Sequence, residues 1–277
     1  MRIRWPVGGI LLAAWLASTS AAAQTRQLRW DPALDLTVTM VGAAAWIASE
    51  AYFKDDLAPA RCRWCSVDRT DARVRDALLW RDPARADAVS NVTGFVLAPL
   101  AAIGMDAAAA AHDGARGNVP EDALLIVEAG VIAADVNQLT KMLVGRERPF
   151  VHALPPDEKP STARPSDNNV SFYSGHTTEA FALAAASGTV ATMRGYRWAP
   201  LTWTTSGALA ATTAYLRIGA DKHWLSDVVV GLVVGVGIGF AVPYLFHSAA
   251  ADPARASSAA ALRAPPVPAG PTMSLAW

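Results

Sequence analysis

The chain has 277 residues, of which 52% are hydrophobic and 17% charged, and its 24 basic and 24 acidic side chains give a formal net charge of zero. So much apolar and so little charged sequence is unusual for a soluble protein. A neutral chain without a basic run has no electrostatic footprint for nucleic acid, so nucleic-acid binding is not expected.

The first residues have the pattern of an export signal. Arg2 and Arg4 precede an apolar stretch over residues 7–17, and an A-x-A-like cleavage site ends at Ala23. This pattern predicts a signal peptide over residues 1–23, with an uncleaved membrane anchor as the alternative. Either interpretation directs the chain to a bacterial-type secretory route.

Residues 24–88 are expected to form an N-terminal helix, over 34–53, and a charged extramembrane loop with short helices. The loop contains the only two cysteines, Cys62 and Cys65. A lone C-x-x-C can be redox-active, half of a zinc site or a small disulfide. With no second cysteine pair, an exported chain favours a local disulfide or two idle thiols.

Apolar segments dominate the rest of the chain, and none shows sustained period-2 alternation, so helices are favoured over strands. Helices are predicted over 34–53, 89–111, 122–144, 176–193, 200–218 and 225–246. The last approaches the ~20 residues that cross a bilayer, and Gly231, Gly235 and Gly239 give it a face for close packing. Residues 89–246 are the expected catalytic core, and the Ala/Pro-rich residues 247–277 are expected to be disordered.

The first of three polar clusters follows the helix predicted over 122–144. Lys141 lies near its end, and Arg148 follows after a turn that Gly145 and Pro149 define. Lysine supplies a compact charge and arginine a planar fork, and the two can converge on one phosphate. Alternatively, they interact with the helix dipole or extend to a membrane surface.

The second cluster is Ser174-Gly175-His176, at the start of the next predicted helix. Ser174 is a plausible N-cap, and Gly175 permits close approach of the backbone to a ligand. The free N–H groups of a helix start form an anion site, beside which His176 could exchange a proton. A plain capping motif with an incidental histidine is the alternative.

The third cluster contains Arg217, His223 and Asp227. His223 and Asp227 are four residues apart, so they share one face of a helix. A carboxylate that accepts a hydrogen bond from one imidazole nitrogen raises the basicity of the other, as a nucleophile requires. A structural His–Asp pair is the alternative.

Together, Lys-x6-Arg-Pro, Ser-Gly-His and Arg-x5-His-x3-Asp resemble the signature of the type-2 phosphatidic acid phosphatase (PAP2) superfamily. The resemblance runs over about 89–246 and implies an all-α, PAP2-type bundle of about six core helices embedded in a membrane. Two positions depart from the family pattern: Tyr173 stands where proline is usual, and Leu216 where a small residue is usual.

The resemblance also implies roles. His223 would attack phosphorus to give a phosphohistidine, Asp227 would orient it, and His176 would protonate the leaving group and then activate water. The phosphoryl oxygens would be held by five residues, namely Lys141, Arg148, Ser174, Gly175 and Arg217. No cofactor is expected. No metal site is expected either, because the sequence has no H-x-x-H and no clustered carboxylates, and its other histidines, His112, His152 and His247, are scattered.

The expected function is a phosphatase for a phosphate monoester or diphosphate, with a lipid-linked or small phosphate as substrate and the membrane as partner. A phosphotransferase, a vanadium haloperoxidase-like enzyme and a non-catalytic helix bundle are the alternatives. The expected location is a bacterial inner membrane with a periplasmic active site, or else the soluble periplasm. A cleaved signal conflicts with three following spans, so helix 34–53 is predicted to be interfacial or packed rather than spanning.

Overall fold

The computed structural model describes residues 25–248, and within them the fold is all-α, without strands. Six long helical segments run back and forth along one bundle. They are α1 (Pro32–Ala51), α4 (Pro83–Val92) continued by α5 (Ala98–His112), α6 (Val119–Val144), α8 (Gly175–Arg194), α9 (Ala199–Gly219) and α10 (Leu225–His247). The predicted helices are confirmed, with small shifts at their ends. The signal and nearly all of the predicted tail lie outside the described residues.

Short helices occupy the connections at one end of the bundle. They are α2 (Lys54–Leu57), α3 (Arg69–Leu78) and α7 (Pro149–His152). The charged loop expected after α1 therefore contains two helices, and it is pinned to the bundle. Its cysteines, Cys62 and Cys65, form a disulfide.

The helix predicted over 89–111 is interrupted. A π-helical turn, Thr93–Leu97, joins α4 to α5. Pro99, within the first turn of α5, has no amide hydrogen and its ring crowds the carbonyl four residues back, so regular α-helical bonding fails there. Such π turns are frequent at functional sites, and this one lies beside the cavity described below.

Helix α8 is the centre of the bundle, in contact with α5, α6, α9 and α10. Its buried residues are mostly small, including Ala182, Ala184, Ala185 and Ala186. Small side chains let the backbones of neighbouring helices approach closely, so α8 packs through close backbone approach and not through bulky side chains.

The predicted glycine face of α10 lies against α8. A Cβ on Gly231 would be 2.9 Å from the carbonyl oxygen of Ser174, whereas Gly235 and Gly239 face Thr178 and Ala182 further along α8. The contacts advance in the same direction on both helices, so α8 and α10 are parallel. Both helices therefore begin at the same end of the bundle.

Helix α1 packs along α6, with Gly42 against Val131 and Asp135. The backbone amide of Arg29, just before α1, donates to the carbonyl of His247 at the end of α10 (3.1 Å). Helix α1 thus packs along the bundle, and the expectation that it does not cross a membrane stays a prediction.

Four helical segments are long and apolar enough to cross a membrane: Pro32–Ala51, Pro83–His112, Arg116–Val144 and Leu225–His247. Their outer faces expose large apolar side chains, among them Met40, Leu100, Leu139, Val233 and Phe246. Such broad apolar exposure is foreign to soluble monomers. These are the features of a membrane protein.

His247, which the sequence shows only as one of the scattered histidines, lies near two carboxylates in the fold. At the end of the bundle where α10 stops, His247 meets Asp35 of α1 and Glu128 of α6. Because the three residues come from distant parts of the chain, no local spacing could reveal the cluster.

Candidate active site

A cavity of about 780 Å³ opens at the end of the bundle where α6 and α9 finish and α8 and α10 begin. Six of the eight residues predicted for catalysis and phosphate binding line it: Lys141, Arg148, Gly175, His176, Arg217 and His223. Asp227 and Ser174 lie behind the wall, both fully buried. The fold thus brings the three sequence clusters around one space.

Three cations face this cavity from three connections. Lys141 is in the last turn of α6, which Gly145 ends in a left-handed conformation (φ 65°). Arg148 precedes α7 and lies 3.8 Å from Asp167. Arg217, in the last turn of α9, donates to Asp87 at 2.6 Å and to Ser90 at 2.8 Å. Carboxylates thus hold the two guanidinium groups in place at the cavity.

His223 is buried in the wall of the cavity. Its Nδ1 lies 2.8 Å from the backbone carbonyl of Ser171. A carbonyl can only accept, so Nδ1 carries the hydrogen and Nε2 keeps its lone pair. Burial lowers the pKa of His223 well below 6.5, and the nearby charges of Arg148, Arg217 and Lys141 lower it further. The imidazole is therefore neutral and nucleophilic at neutral pH.

Asp227 lies 3.9 Å from His223 Nδ1, so the expected direct hydrogen bond is not formed. Its Oδ2 instead accepts from the Ser171 hydroxyl (2.6 Å) and the Trp224 amide (2.9 Å), and its Oδ1 accepts from Arg146 (2.6 Å). Asp227 therefore fixes the segment whose carbonyl orients the imidazole. Its action on His223 passes through Ser171.

The turn before His223 is held in an unusual conformation. Asp221 has φ 58°, in the left-handed region that non-glycine residues rarely adopt. Arg75 of α3 donates hydrogen bonds to both carboxylate oxygens of Asp221, each at 2.6 Å. The backbone carbonyl of Asp221 accepts from the Phe150 amide at 3.2 Å. These contacts tie the position of His223 to α3 and α7.

At the start of α8, one predicted contact is corrected. The Ser174 amide donates to the carbonyl of Asp227 (3.1 Å), so it is already occupied and cannot also hold a phosphoryl oxygen. Ser174 stands at the N-cap, but its side chain makes no capping hydrogen bond. Gly175 does line the cavity, and a Cβ there would lie 2.8 Å from Lys141 Nζ. A side chain at this position would displace the Lys141 ammonium from the helix start.

His176 faces the cavity from the first turn of α8. Its Nε2 lies 2.8 Å from the Asn91 side-chain oxygen, and its ring packs on Phe95 with 4.3 Å between centroids. A Cβ on Gly94 would be only 3.1 Å from His176 Cδ2. The π-helical turn thus forms the surface on which this histidine rests.

Arg146 is a residue of the site that the sequence interpretation passed over. Its guanidinium is buried 4.1 Å above the Trp64 ring and donates to Asp227, to Asp71 (2.7 Å) and to Ser226 (2.7 Å). It lies in the first motif, two residues before Arg148, and that position is the only sequence signal that pointed to it. Its partners are far away in the chain.

The two departures from the family pattern lie beside the site and not in it. Tyr173 is buried, and its carbonyl accepts from the Asn137 side chain at 2.8 Å. Leu216 is buried one residue before Arg217. Neither lines the cavity.

Comparisons with known proteins give one family match and one similar solved structure. Residues 122–250, which contain all three motifs, match the model of the PAP2 superfamily. A solved structure similar to this chain is that of a transmembrane PAP2 type phosphatidylglycerolphosphate phosphatase from Bacillus subtilis, at 20% identity and a TM-score of 0.44, covering 78% of this chain and 96% of that one. No curated protein matches the chain. Residues 122–250 of the chain are therefore similar to proteins of the PAP2 superfamily.

Proposed function

We propose that the protein is a phosphatase that hydrolyses a lipid-linked phosphate monoester or diphosphate through a phosphohistidine on His223. The observation that carries the proposal is the contact of His223 Nδ1 with the Ser171 carbonyl at 2.8 Å, which leaves the Nε2 lone pair free in a cavity that Lys141, Arg148 and Arg217 line.

Substrate binding falls to Lys141, Arg148 and Arg217, with the amide of Gly175. As the first residue of α8, Gly175 has no intrahelical acceptor for its N–H. Charge spreads over the equatorial oxygens during phosphoryl transfer, so cations held in position lower the barrier without rearranging. The cavity-lining cations supply this stabilisation.

In the first step, His223 Nε2 attacks phosphorus and the bond from phosphorus to the leaving oxygen breaks. The electron pair goes to that oxygen, which takes a proton from His176. In the second step, His176 takes a proton from water, whose oxygen displaces Nε2 and releases inorganic phosphate. The hydrogen bond between His176 Nε2 and Asn91 leaves Nδ1 as the nitrogen that exchanges this proton.

The apolar surroundings favour a lipid-linked substrate. Trp46 of α1 and Phe95 of the π-helical turn line the cavity together with the phosphate-binding cations. Both belong to segments long and apolar enough to cross a membrane. A phosphate at a lipid headgroup can therefore reach the cations while its chains stay in the apolar phase.

A phosphate-release assay tests the proposal. The full chain in detergent is offered phosphatidic acid, phosphatidylglycerophosphate, a polyprenyl diphosphate, lipid A and soluble monoesters. His223→Ala should lower turnover by a factor on the order of 10³ or more, whereas His112→Ala, at the opposite end of the bundle, should not. A rapid quench should trap a base-stable, acid-labile phosphoryl group on the wild type and none on His223→Ala. If the wild type releases phosphate from no substrate, the proposal fails.

We further propose a bacterial inner membrane with the cavity facing the periplasm. The Cys62–Cys65 disulfide is at the cavity end, and disulfides persist in oxidising compartments. If all six long segments cross, Arg29 and His247 are then cytoplasmic. A signal cleaved after Ala23 would put residue 25 in the periplasm instead, so that prediction and this orientation exclude each other in a six-span bundle.

Two C-terminal fusions test the orientation. A fluorescent protein that folds only in the cytoplasm should fluoresce, and alkaline phosphatase, which needs the periplasm, should be inactive. The reverse pair of results would place the cavity in the cytoplasm. Alkaline carbonate extraction tests the soluble alternative, because recovery in the supernatant contradicts a membrane protein.

A further inference from the structure

A second cluster of ionisable side chains lies at the end of the bundle opposite the cavity. Asp35 of α1, Glu128 of α6 and His247 of α10 each place one potential ligand atom within 4.8 Å of the other two. All three are buried, with exposed fractions of 5%, 6% and 3%. The cluster therefore joins the first, third and last long segments of the described chain.

Two atoms of this cluster lack hydrogen bonds. Among the described residues, Glu128 Oε2 and His247 Nε2 are buried without a hydrogen-bond partner, 3.5 Å from each other. Leaving a buried polar group unpaired costs about 1–3 kcal/mol. The two atoms lie at ion-pair distance from each other, and a bound ion would give both of them a partner.

The other nitrogen of His247 is in the arrangement that metal-binding histidines show. Its Nδ1 lies 3.0 Å from the carbonyl of Arg29, which can only accept. Nδ1 therefore carries the hydrogen, and the lone pair of a neutral ring is on Nε2. A ligating imidazole almost always donates its other N–H to a carbonyl or carboxylate in this way.

Charge balance also favours a cation. Two carboxylates with one imidazole stay negative by one unit even when the imidazole is protonated. Arg194 cannot compensate, because it is 2.7 Å from both Glu121 and Asp122. A divalent ion with a neutral imidazole would make Asp35, Glu128 and His247 neutral as a group.

We propose that Asp35, Glu128 and His247 bind one divalent transition-metal ion of the zinc type, with water in the remaining position. Zinc takes imidazole nitrogen and carboxylate oxygen at about 2.0–2.2 Å in tetrahedral geometry, which sets its ligand atoms roughly 3.3 Å apart. From separations of up to 4.8 Å, each atom moves inward by less than about 1 Å. Magnesium and calcium need about six or more ligands, mostly oxygen, and suit the cluster less well.

The ion would clamp the bundle and take no part in phosphoryl transfer. It would join α1 and α10, which the chain connects only through the rest of the bundle. The proposal is independent of the phosphatase activity, because the two sites are at opposite ends.

The test uses the full chain in detergent with a tag that contains no histidine. After EDTA treatment and equilibration with zinc, elemental analysis should find one zinc per chain, and the thermal midpoint should rise relative to the stripped protein. Glu128→Gln and His247→Ala should each lose the zinc and the rise. His112→Ala and His223→Ala, which remove a histidine at the same end and in the cavity, should each keep both.

The result is decisive in either direction. A wild type without stoichiometric zinc, or Glu128→Gln and His247→Ala proteins that hold as much as the wild type, would overturn the proposal. If these variants do not fold, X-ray absorption at the zinc edge of the His176→Ala/His223→Ala chain replaces them. One imidazole among oxygen ligands is expected there, and a shell with sulfur or several imidazoles would refute it.

Discussion

The ion pairs of Arg146 make a quantitative prediction about stability. Arg146→Met leaves two buried carboxylates, Asp71 and Asp227, without the guanidinium that lies 2.7 and 2.6 Å from them. Removing one partner of a buried ion pair costs about 3–5 kcal/mol. Since about 1.4 kcal/mol changes an equilibrium tenfold, the folded-to-unfolded ratio should fall by roughly 10² to 10³·⁵.

Arg197 provides the matched control. It pairs with Asp113 at 2.6 Å, as short as the contact from Arg146 to Asp227, but its side chain is 59% exposed against 1% for Arg146. The Asp113 side chain is buried, but it keeps the backbone N–H of residue 197 (2.7 Å) as a donor after the substitution, and pairs with an exposed partner contribute about 0–1 kcal/mol. Arg197→Met should therefore barely shift unfolding, as followed by tryptophan fluorescence in detergent with denaturant. Equal destabilisation by the two substitutions would refute the argument from burial.

Three further predictions concern catalysis and packing. Because the pKa of His223 is lowered well below 6.5 by burial and by nearby cations, its nucleophilic neutral form persists as pH falls to that value, so the decline of kcat/KM toward acid pH should be centred below about pH 6.5. The decline toward alkaline pH is set separately by loss of the His176 proton that the leaving group needs, so an acid-side decline centred above pH 6.5 in a pH–rate profile contradicts the prediction. Gly175→Ala puts a methyl group 2.8 Å from Lys141 Nζ. Steady-state kinetics should show a KM raised about tenfold or more, which is the scale of one displaced charged hydrogen bond. An unchanged KM would count against a role for this contact in substrate binding. Gly231→Ala puts a methyl group 2.9 Å from the Ser174 carbonyl, whereas the methyl group of Gly237→Ala on the same helix meets nothing within 4 Å. Thermal unfolding should show the Gly231→Ala protein less stable by about 1–3 kcal/mol and the Gly237→Ala protein nearly unchanged. Equal unfolding midpoints for the two variants would contradict the packing argument.

The sequence predicted the helices well because their apolar runs are long and polar connections separate them. It missed the π-helical turn within 89–111 because the run of apolar residues continues through Pro99, and composition alone does not show how the backbone accommodates a proline. The sequence predicted part of the contact between α10 and α8, because the spacing of Gly231, Gly235 and Gly239 indicated a face for close helix packing. Which helix packs on that face depends on the whole fold.

At the candidate site, the sequence identified the residues that line the cavity but not how they are held. The hydrogen-bond acceptor for His223 is the backbone carbonyl of Ser171. Because every residue has a backbone carbonyl, the sequence does not indicate which of them accepts. The occupied amide of Ser174 was hidden for the same reason. The contact of Arg146 with Asp71, like the cluster at His247, joins distant parts of the chain, so motif spacing could not reveal either.

The parallel contact of α8 and α10 has a consequence for ligand-linked stability. Both helices point the positive ends of their dipoles at the cavity, which Lys141, Arg148 and Arg217 also line, so the site attracts an anion. An anion that enters binds only the folded chain. Inorganic phosphate or vanadate at 100 times its dissociation constant should therefore raise the free energy of unfolding by about 2.7 kcal/mol, which makes a thermal shift a direct way to rank phosphate-like ligands.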